Sequence, residues 1–231
     1  MNRVLIAALS LFCLGLTSSE KTLKAPITTV HRVASPSHLP FFHLYDQLDL
    51  ASSGLSRDVF ALAIRGMQQI VGAKPLLSSV DMSQPSSHKR LYIIDLVKEK
   101  LLFHTYVAHG RNSGELLAKR FSNANSSFQS SLGFYKTLGM YQGKHGLSMQ
   151  LQGLEKGIND NAFARAIVMH GADYVCESVI RQTGRLGRSQ GCPAVSTAEC
   201  SPIVRAISGG SCLFIYSPNQ HYLKGSMFCK K

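Results

Sequence analysis

The chain changes its hydrophobic rhythm twice. From Leu39 to Gly72 apolar residues recur every three or four positions, the period of a helix with one buried face. Pro40 suits a first helical turn, and Phe41, Leu44, Tyr45 and Leu48 fall on one side. Ser56 then reads as an N-cap. It is followed by Val59, Phe60, Ala63, Ile64, Met67, Ile70 and Val71 at helical spacing, and by Gly72 as a stop. The pattern predicts a helical hairpin whose apolar face needs a partner. Between Leu76 and Lys89 serine dominates, with Pro75 and Pro85 nearby, and the stretch reads as a linker.

After Arg90 the period drops to that of strands. Leu91 to Ile94 and Leu101 to Ala108 are two, joined by a charged turn at Lys98-Glu99-Lys100. Phe134 to Thr137, Leu147 to Leu151, Ala166 to Met169 and Cys212 to Tyr216 are four more. A short helix is expected from Asn159 through Arg165. Another begins at the capping box Ser196…Glu199, runs through Ile207 and is ended by Gly209. Many short strands with few helices predict a mainly β (α+β) domain, a sandwich or partly open barrel preceded by the helical hairpin. No internal repeat is visible.

Residues 1–19 follow neither rhythm. Arg3 precedes an apolar run from Val4 to Leu16, too short for the roughly 20 residues that span a bilayer, and Thr17-Ser18-Ser19 supplies small residues for cleavage. This reads as a secretory signal peptide, so export to the periplasm or cell wall is expected, with no stable membrane insertion after cleavage. The division expected is signal peptide 1–19, leader, hairpin and linker 20–88, and catalytic domain 89–231. Twenty-five Lys and Arg against 13 Asp and Glu leave a net charge of +12, which suits an anionic partner. Nucleic acid is not expected: no aromatic-basic ribonucleoprotein motif is present. Six cysteines fall to five once Cys13 leaves with the signal. An odd count in an exported protein predicts one free thiol, Cys192, and disulfides among Cys176, Cys200, Cys212 and Cys229, in any of three pairings.

The chemistry concentrates between Ile167 and Val195. A strand delivers His170 and Gly171, a glycine- and arginine-rich loop follows, and the chain returns through Ser189-Gln190-Gly191-Cys192-Pro193. A thiol catalyst needs a base and donors for an oxyanion. Cys192 supplies the thiol and His170 the base, and Gly191 lacks the Cβ that would keep backbone N–H groups from turning toward a ligand. A structural cysteine beside a loop glycine would give the same residues. Three His-Gly pairs, at His109, His145 and His170, raise a zinc site, but no His-x-His or Cys-x-x-Cys spacing accompanies them, and no metal or other cofactor is expected.

His170-Gly171 followed by Ser189-x-Gly191-Cys192 resembles the signature of the YkuD-type L,D-transpeptidase catalytic domain: His-Gly, a variable loop, then Ser/Thr-His-Gly-Cys. Gln190 stands where the usual second histidine would be, and Pro193-Ala194 replace a frequent Arg or Asn. The murein L,D-transpeptidase catalytic-domain branch, which tolerates a non-histidine before Gly-Cys-Pro-Ala, is similar along most of Lys89 to Tyr216. The resemblance implies a β-sandwich with the Cys–His site in a cleft at one end. It implies peptidoglycan stem peptides as partners, a Cys192 thioester, His170 oriented by the Gly171 carbonyl, and an oxyanion held by the N–H groups of Gly191 and Cys192. Ser189 would shape the turn. Gln190, Arg188, Arg185, Tyr141 and His145 are the substrate-binding candidates, the arginines as a bidentate clamp and the Tyr141–Gly146 stretch as a binding loop or lid. Ser130 to Tyr135 is similar to the family's Thr-Pro-x-Gly-x-Phe segment and would form a cleft wall. If water resolves the thioester, the same site is an L,D-carboxypeptidase. A non-catalytic wall-binding protein of this fold is the remaining alternative.

Overall fold

The computed structural model describes residues 41–230; the expected signal peptide and leader lie outside them. In chain order the elements are α1 (Leu44–Gln47), α2 (Arg57–Gln68), β1 (Lys74–Asp81), β2 (Leu91–Asp95), β3 (Lys100–Thr105), β4 (Gly133–Gly143), β5 (Gly146–Gly153), β6 (Val168–Gly171), α3 (Glu177–Thr183), β7 (Ala194–Val195), α4 (Thr197–Ile207), β8 (Ser211–Tyr216) and α5 (Gln220–Gly225). Eight strands form one hydrogen-bonded series in the order β3-β2-β1-β8-β4-β5-β6-β7. The mainly-β class with a few short helices is as expected. No helix among the described residues is long and apolar enough to cross a membrane.

The helical start takes the predicted form in part. The Ser56 hydroxyl accepts the Val59 N–H at 3.2 Å and caps α2, but α1 is a single turn. Val71 lies beyond the end of α2 and is 92% exposed, so the apolar face stops before it. That face rests on β1 and β8. Gly66 is what lets α2 approach the sheet: a Cβ there would sit 2.0 Å from the Phe134 ring, which itself stacks on Phe214 at 4.2 Å.

The expected linker is wrong. It contains most of β1, which pairs antiparallel with β2 and parallel with β8 and so sits inside the sheet. Its Ser78 and Ser79 are fully buried, and their hydroxyls find no hydrogen-bond partner. A strand that buries serine looks like a loop in sequence. Two helices were also missed. The glycine- and arginine-rich loop contains α3, which buries none of its residues and so leaves no periodic apolar signal, and α5 follows β8. Asn159 to Arg165 makes successive turns rather than a helix. The capping box holds: the Ser196 hydroxyl accepts the Glu199 N–H at 3.3 Å at the start of α4.

The expected disulfides are absent as well. All five cysteines among the described residues carry free thiols. Cys212 is buried in β8, Cys200 is buried in α4 with its thiol donating to the Leu147 carbonyl, and Cys176 precedes the exposed α3. Cys229 lies near Tyr222 at the C-terminal end.

Candidate active site

β6 and β7 are two short parallel strands in which His170 lies beside Ala194 and Gly171 beside Val195. Two residues before His170 and Ala194 stand Val168 and Cys192, and the Val168 N–H points at the Cys192 sulfur at 3.5 Å. Strand register thus puts the thiol and the imidazole in the lining of one cleft of about 460 Å³. Gly171 is needed for this register, because a Cβ would meet Thr197 Cα and Cys200 Cβ at 3.1 Å, where α4 crosses.

The turn carrying the thiol is tied on every side. The Ser189 hydroxyl donates to the Cys192 carbonyl at 2.6 Å and accepts the Gly191 N–H at 3.1 Å. Ser189 N–H donates to the His109 carbonyl at 3.0 Å, and Arg111 N–H donates to the Ser189 carbonyl at 2.8 Å. From below, the Ser130 hydroxyl donates to the Gly191 carbonyl at 3.2 Å. Gly191 has φ +123°, and a Cβ on it would stand 2.8 Å from the Gln129 carbonyl oxygen. Only glycine meets both conditions without strain. The Gly191 N–H is thus bonded within the turn, to the Ser189 hydroxyl. The Ser130–Tyr135 segment likewise props the turn through Ser130 and buries Phe134 and Tyr135, in place of the cleft wall expected of it.

Behind the turn lies a buried pair. Arg90 is fully buried; its guanidinium donates to the Val107 and Gln84 carbonyls and, at 2.8 Å, to His109 Nδ1. His109 Nε2–H donates to the Gly114 carbonyl at 3.2 Å. Both imidazole nitrogens are committed and the ring has no exposure, so His109 is not a reserve base. Burial and the Arg90 charge push its pKa down to about 4. Burial, opposed by the Asp81 charge, takes Arg90 down to about 9, still cationic at neutral pH.

His170 Nδ1–H donates to the Gly171 carbonyl at 2.9 Å, which leaves Nε2 as the basic nitrogen. The His145 ring stacks on it, with centroids 4.5 Å apart and planes 25° from parallel. Burial, followed by the charges of His145 and Lys144, holds the His170 pKa below the ordinary histidine value. Burial raises that of Cys192, against the pull of the Val168 N–H, Arg165 and Lys144. Sulfur and imidazole make no hydrogen bond to each other: the thiol leans toward the Ala166 carbonyl, 3.7 Å away. Burial thus pushes each group toward its neutral form.

The family model of the YkuD-type L,D-transpeptidase catalytic domain matches residues 51–216. The chain belongs to that family. No curated protein matches it. Among solved structures it is similar to the L,D-transpeptidase LdtMt1 in complex with imipenem, at 11% identity and a TM-score of 0.38, over 62% of this chain and 59% of that one. It is also similar to an L,D-transpeptidase from Stackebrandtia nassauensis, at 11% identity and TM-score 0.38, over 77% and 76%. The helical cell shape determining protein Pgp2 from Campylobacter jejuni matches at 12% identity and TM-score 0.39, over 67% and 55%. The chain thus spans less than two thirds of LdtMt1 and of Pgp2.

Of the residues that the family signature singles out in this chain, Cys192, His170, Ser189 and Gln190 line the cleft, as do Tyr141, His145 and Arg188. Arg185 does not. Its guanidinium is bonded to Glu115 at 2.9 Å, and the same carboxylate takes Arg188 at 2.6 Å. The two arginines are a clamp already closed on a protein side chain, so neither is the vacant substrate clamp expected. Two cleft residues, Arg165 and Tyr174, escaped sequence reasoning, and a third, Lys144, was expected only as part of the Tyr141–Gly146 stretch. Arg165 sits under the thiol, anchored by the Ser122 and Gln129 carbonyls and the Ser131 and Ser127 hydroxyls. Lys144 rises from the β4–β5 turn, and Tyr174 lines the wall, its pKa raised to about 12 by burial and the nearby thiol. The three His-Gly pairs do not converge: His109 is behind the turn, while His145 and His170 stack.

Proposed function

We propose that this chain is an exported cysteine L,D-transpeptidase that acts on peptidoglycan stem peptides through a thioester on Cys192. The observation that carries the reading is the pairing, in one cleft, of the Cys192 sulfur with an imidazole whose Nδ1–H is committed to the Gly171 carbonyl. Membership of the family supports the reaction class. His170 Nε2 takes the thiol proton as sulfur adds to the carbonyl of the third stem residue. The tetrahedral intermediate collapses, the C–N bond breaks, and the terminal D-alanine leaves as an amine carrying the proton back from His170. An acceptor amine then attacks the thioester, and a new amide replaces it. With water as acceptor the product is a shortened peptide.

Incubation with a disaccharide-tetrapeptide tests the reading. A Cys192 adduct by intact mass, followed by a cross-linked dimer that has lost one D-alanine, is the expected result. Cys192→Ala should remove both. A tripeptide product alone would identify a carboxypeptidase. A folded wild-type protein that forms neither adduct nor product would overturn the enzymatic reading in favour of wall binding.

A further inference from the structure

Three cations line the cleft, and two are already engaged. Arg165 donates to four oxygen atoms of the protein. Arg188 donates to the carbonyls of Arg111 and Gly114 and to the Glu115 carboxylate. Lys144 differs. It stands at the tip of the two-residue turn between Gly143 and Gly146, exposed on the cleft side, and no acidic side chain among the described residues pairs with it. Its neighbour His145 is stacked on His170, which fixes the tip over the base. Lys144, the Cys192 sulfur and the His170 ring line the same cleft, so the lysine faces the space that an acyl donor must enter.

We infer that Lys144 is a specificity residue that binds the free C-terminal carboxylate of the acyl donor. The inference rests on the reaction proposed above. In a donor that ends one residue after the scissile bond, that carboxylate belongs to the leaving residue, whose Cα is about 3.8 Å from the Cα of the residue being acylated. An unpaired cation beside both the nucleophile and the base is placed to receive it. A donor extended beyond that residue, or capped as an amide, offers no charge at this point. The two arginines that would otherwise compete for the carboxylate have their donors engaged, Arg188 by Glu115 and two backbone carbonyls and Arg165 by four protein oxygens.

The test uses a stem tetrapeptide ending in a free acid and the same peptide ending in a carboxamide. Equilibrium binding is measured on Cys192→Ala, which cannot turn over. The acid should bind about ten- to a hundredfold tighter than the amide, the range of one charge-assisted hydrogen bond. Adding Lys144→Met should bring the acid-to-amide ratio close to one, and Lys144→Arg should restore most of it. In the enzyme with Cys192 intact, Lys144→Met should raise KM for the acid more than it lowers kcat. Equal binding of acid and amide before Lys144 is changed would overturn the inference. So would a loss of affinity that is the same for both peptides in Lys144→Met, which would mark the lysine as shaping the tip only. A clear acid preference with no Cys192 adduct in the wild type would instead sink the proposed reaction and leave the carboxylate site standing.

Discussion

The buried imidazole of His109 makes stability depend on pH in a way that can be isolated. Its folded pKa is about 4, against 6.5 when unfolded. A histidine with a depressed folded pKa stabilises the fold above the unfolded value and loses that contribution as pH falls. Between pH 6.5 and about 4 the unfolded chain takes up a proton that the folded chain refuses. At about 1.36 kcal/mol per pH unit, roughly 2.5 kcal/mol of stability is lost by pH 4.5 from this group alone. Other groups also titrate in acid, His170 among them, so the wild type by itself does not isolate the effect. His109→Gln does, because glutamine keeps a donor and an acceptor and does not titrate. Urea unfolding at pH 7.5 and pH 4.5 should find the variant less stable at pH 7.5, from lost fit against Arg90 and Gly114. The gap between variant and wild type should shrink by about 2.5 kcal/mol at pH 4.5. A gap that stays constant with pH would refute the assignment of His109 as a neutral buried group.

Gly191→Ala should destabilise the protein by about 2–3 kcal/mol, since it forces a side chain onto a left-handed backbone and against the Gln129 carbonyl; thermal unfolding reads the loss, and an unchanged midpoint would refute it. Gln190 is exposed on the cleft rim, so Gln190→Ala should lower kcat/KM only a few-fold and Gln190→His should be tolerated; a folded Gln190→Ala as inactive as His170→Ala would displace His170 as sole base. The His170 pKa is lowered, so the acid limb of kcat/KM should lie below pH 6.5, and a pH–rate profile with that limb above 6.5 would contradict the neutral resting imidazole.

What was legible in the sequence is what depends on residue type and short spacing. Cys192, His170 and the glycine at 191 announce their chemistry wherever they stand, and the Ser196 cap and the strand at Cys212–Tyr216 follow from local pattern. What was illegible depends on the fold. Arg165 and Tyr174 are ordinary residues in sequence and become cleft residues only because the segment before β6 and the loop before α3 meet the β4–β5 turn there. The setting of Gly191 is tertiary for the same reason: glycine signalled a special backbone, but only the tertiary contacts reveal that its N–H is bonded to the Ser189 hydroxyl. Arg185 and Arg188 pointed to an anion, and the anion is Glu115, some 70 positions away in the chain. β1 was lost because burying Ser78 and Ser79 reverses the usual link between polarity and exposure.

The electrostatics of the site favour a particular order of events. A stored thiolate–imidazolium pair needs a low thiol pKa and a high imidazole pKa, and here burial drives each the other way. Lys144 favours the thiolate but opposes the imidazolium, so by itself it cannot create the pair. On the reaction proposed above, a carboxylate seated on Lys144 cancels both of these effects together, so it positions the donor without creating a thiolate–imidazolium pair. Proton transfer from Cys192 to His170 then accompanies the attack on the carbonyl. The buried Arg90–His109 pair and the saturated Arg165 are fixed parts of the scaffold, and the exposed tip at Lys144 and His145 is the part of this machinery that substrate can reach.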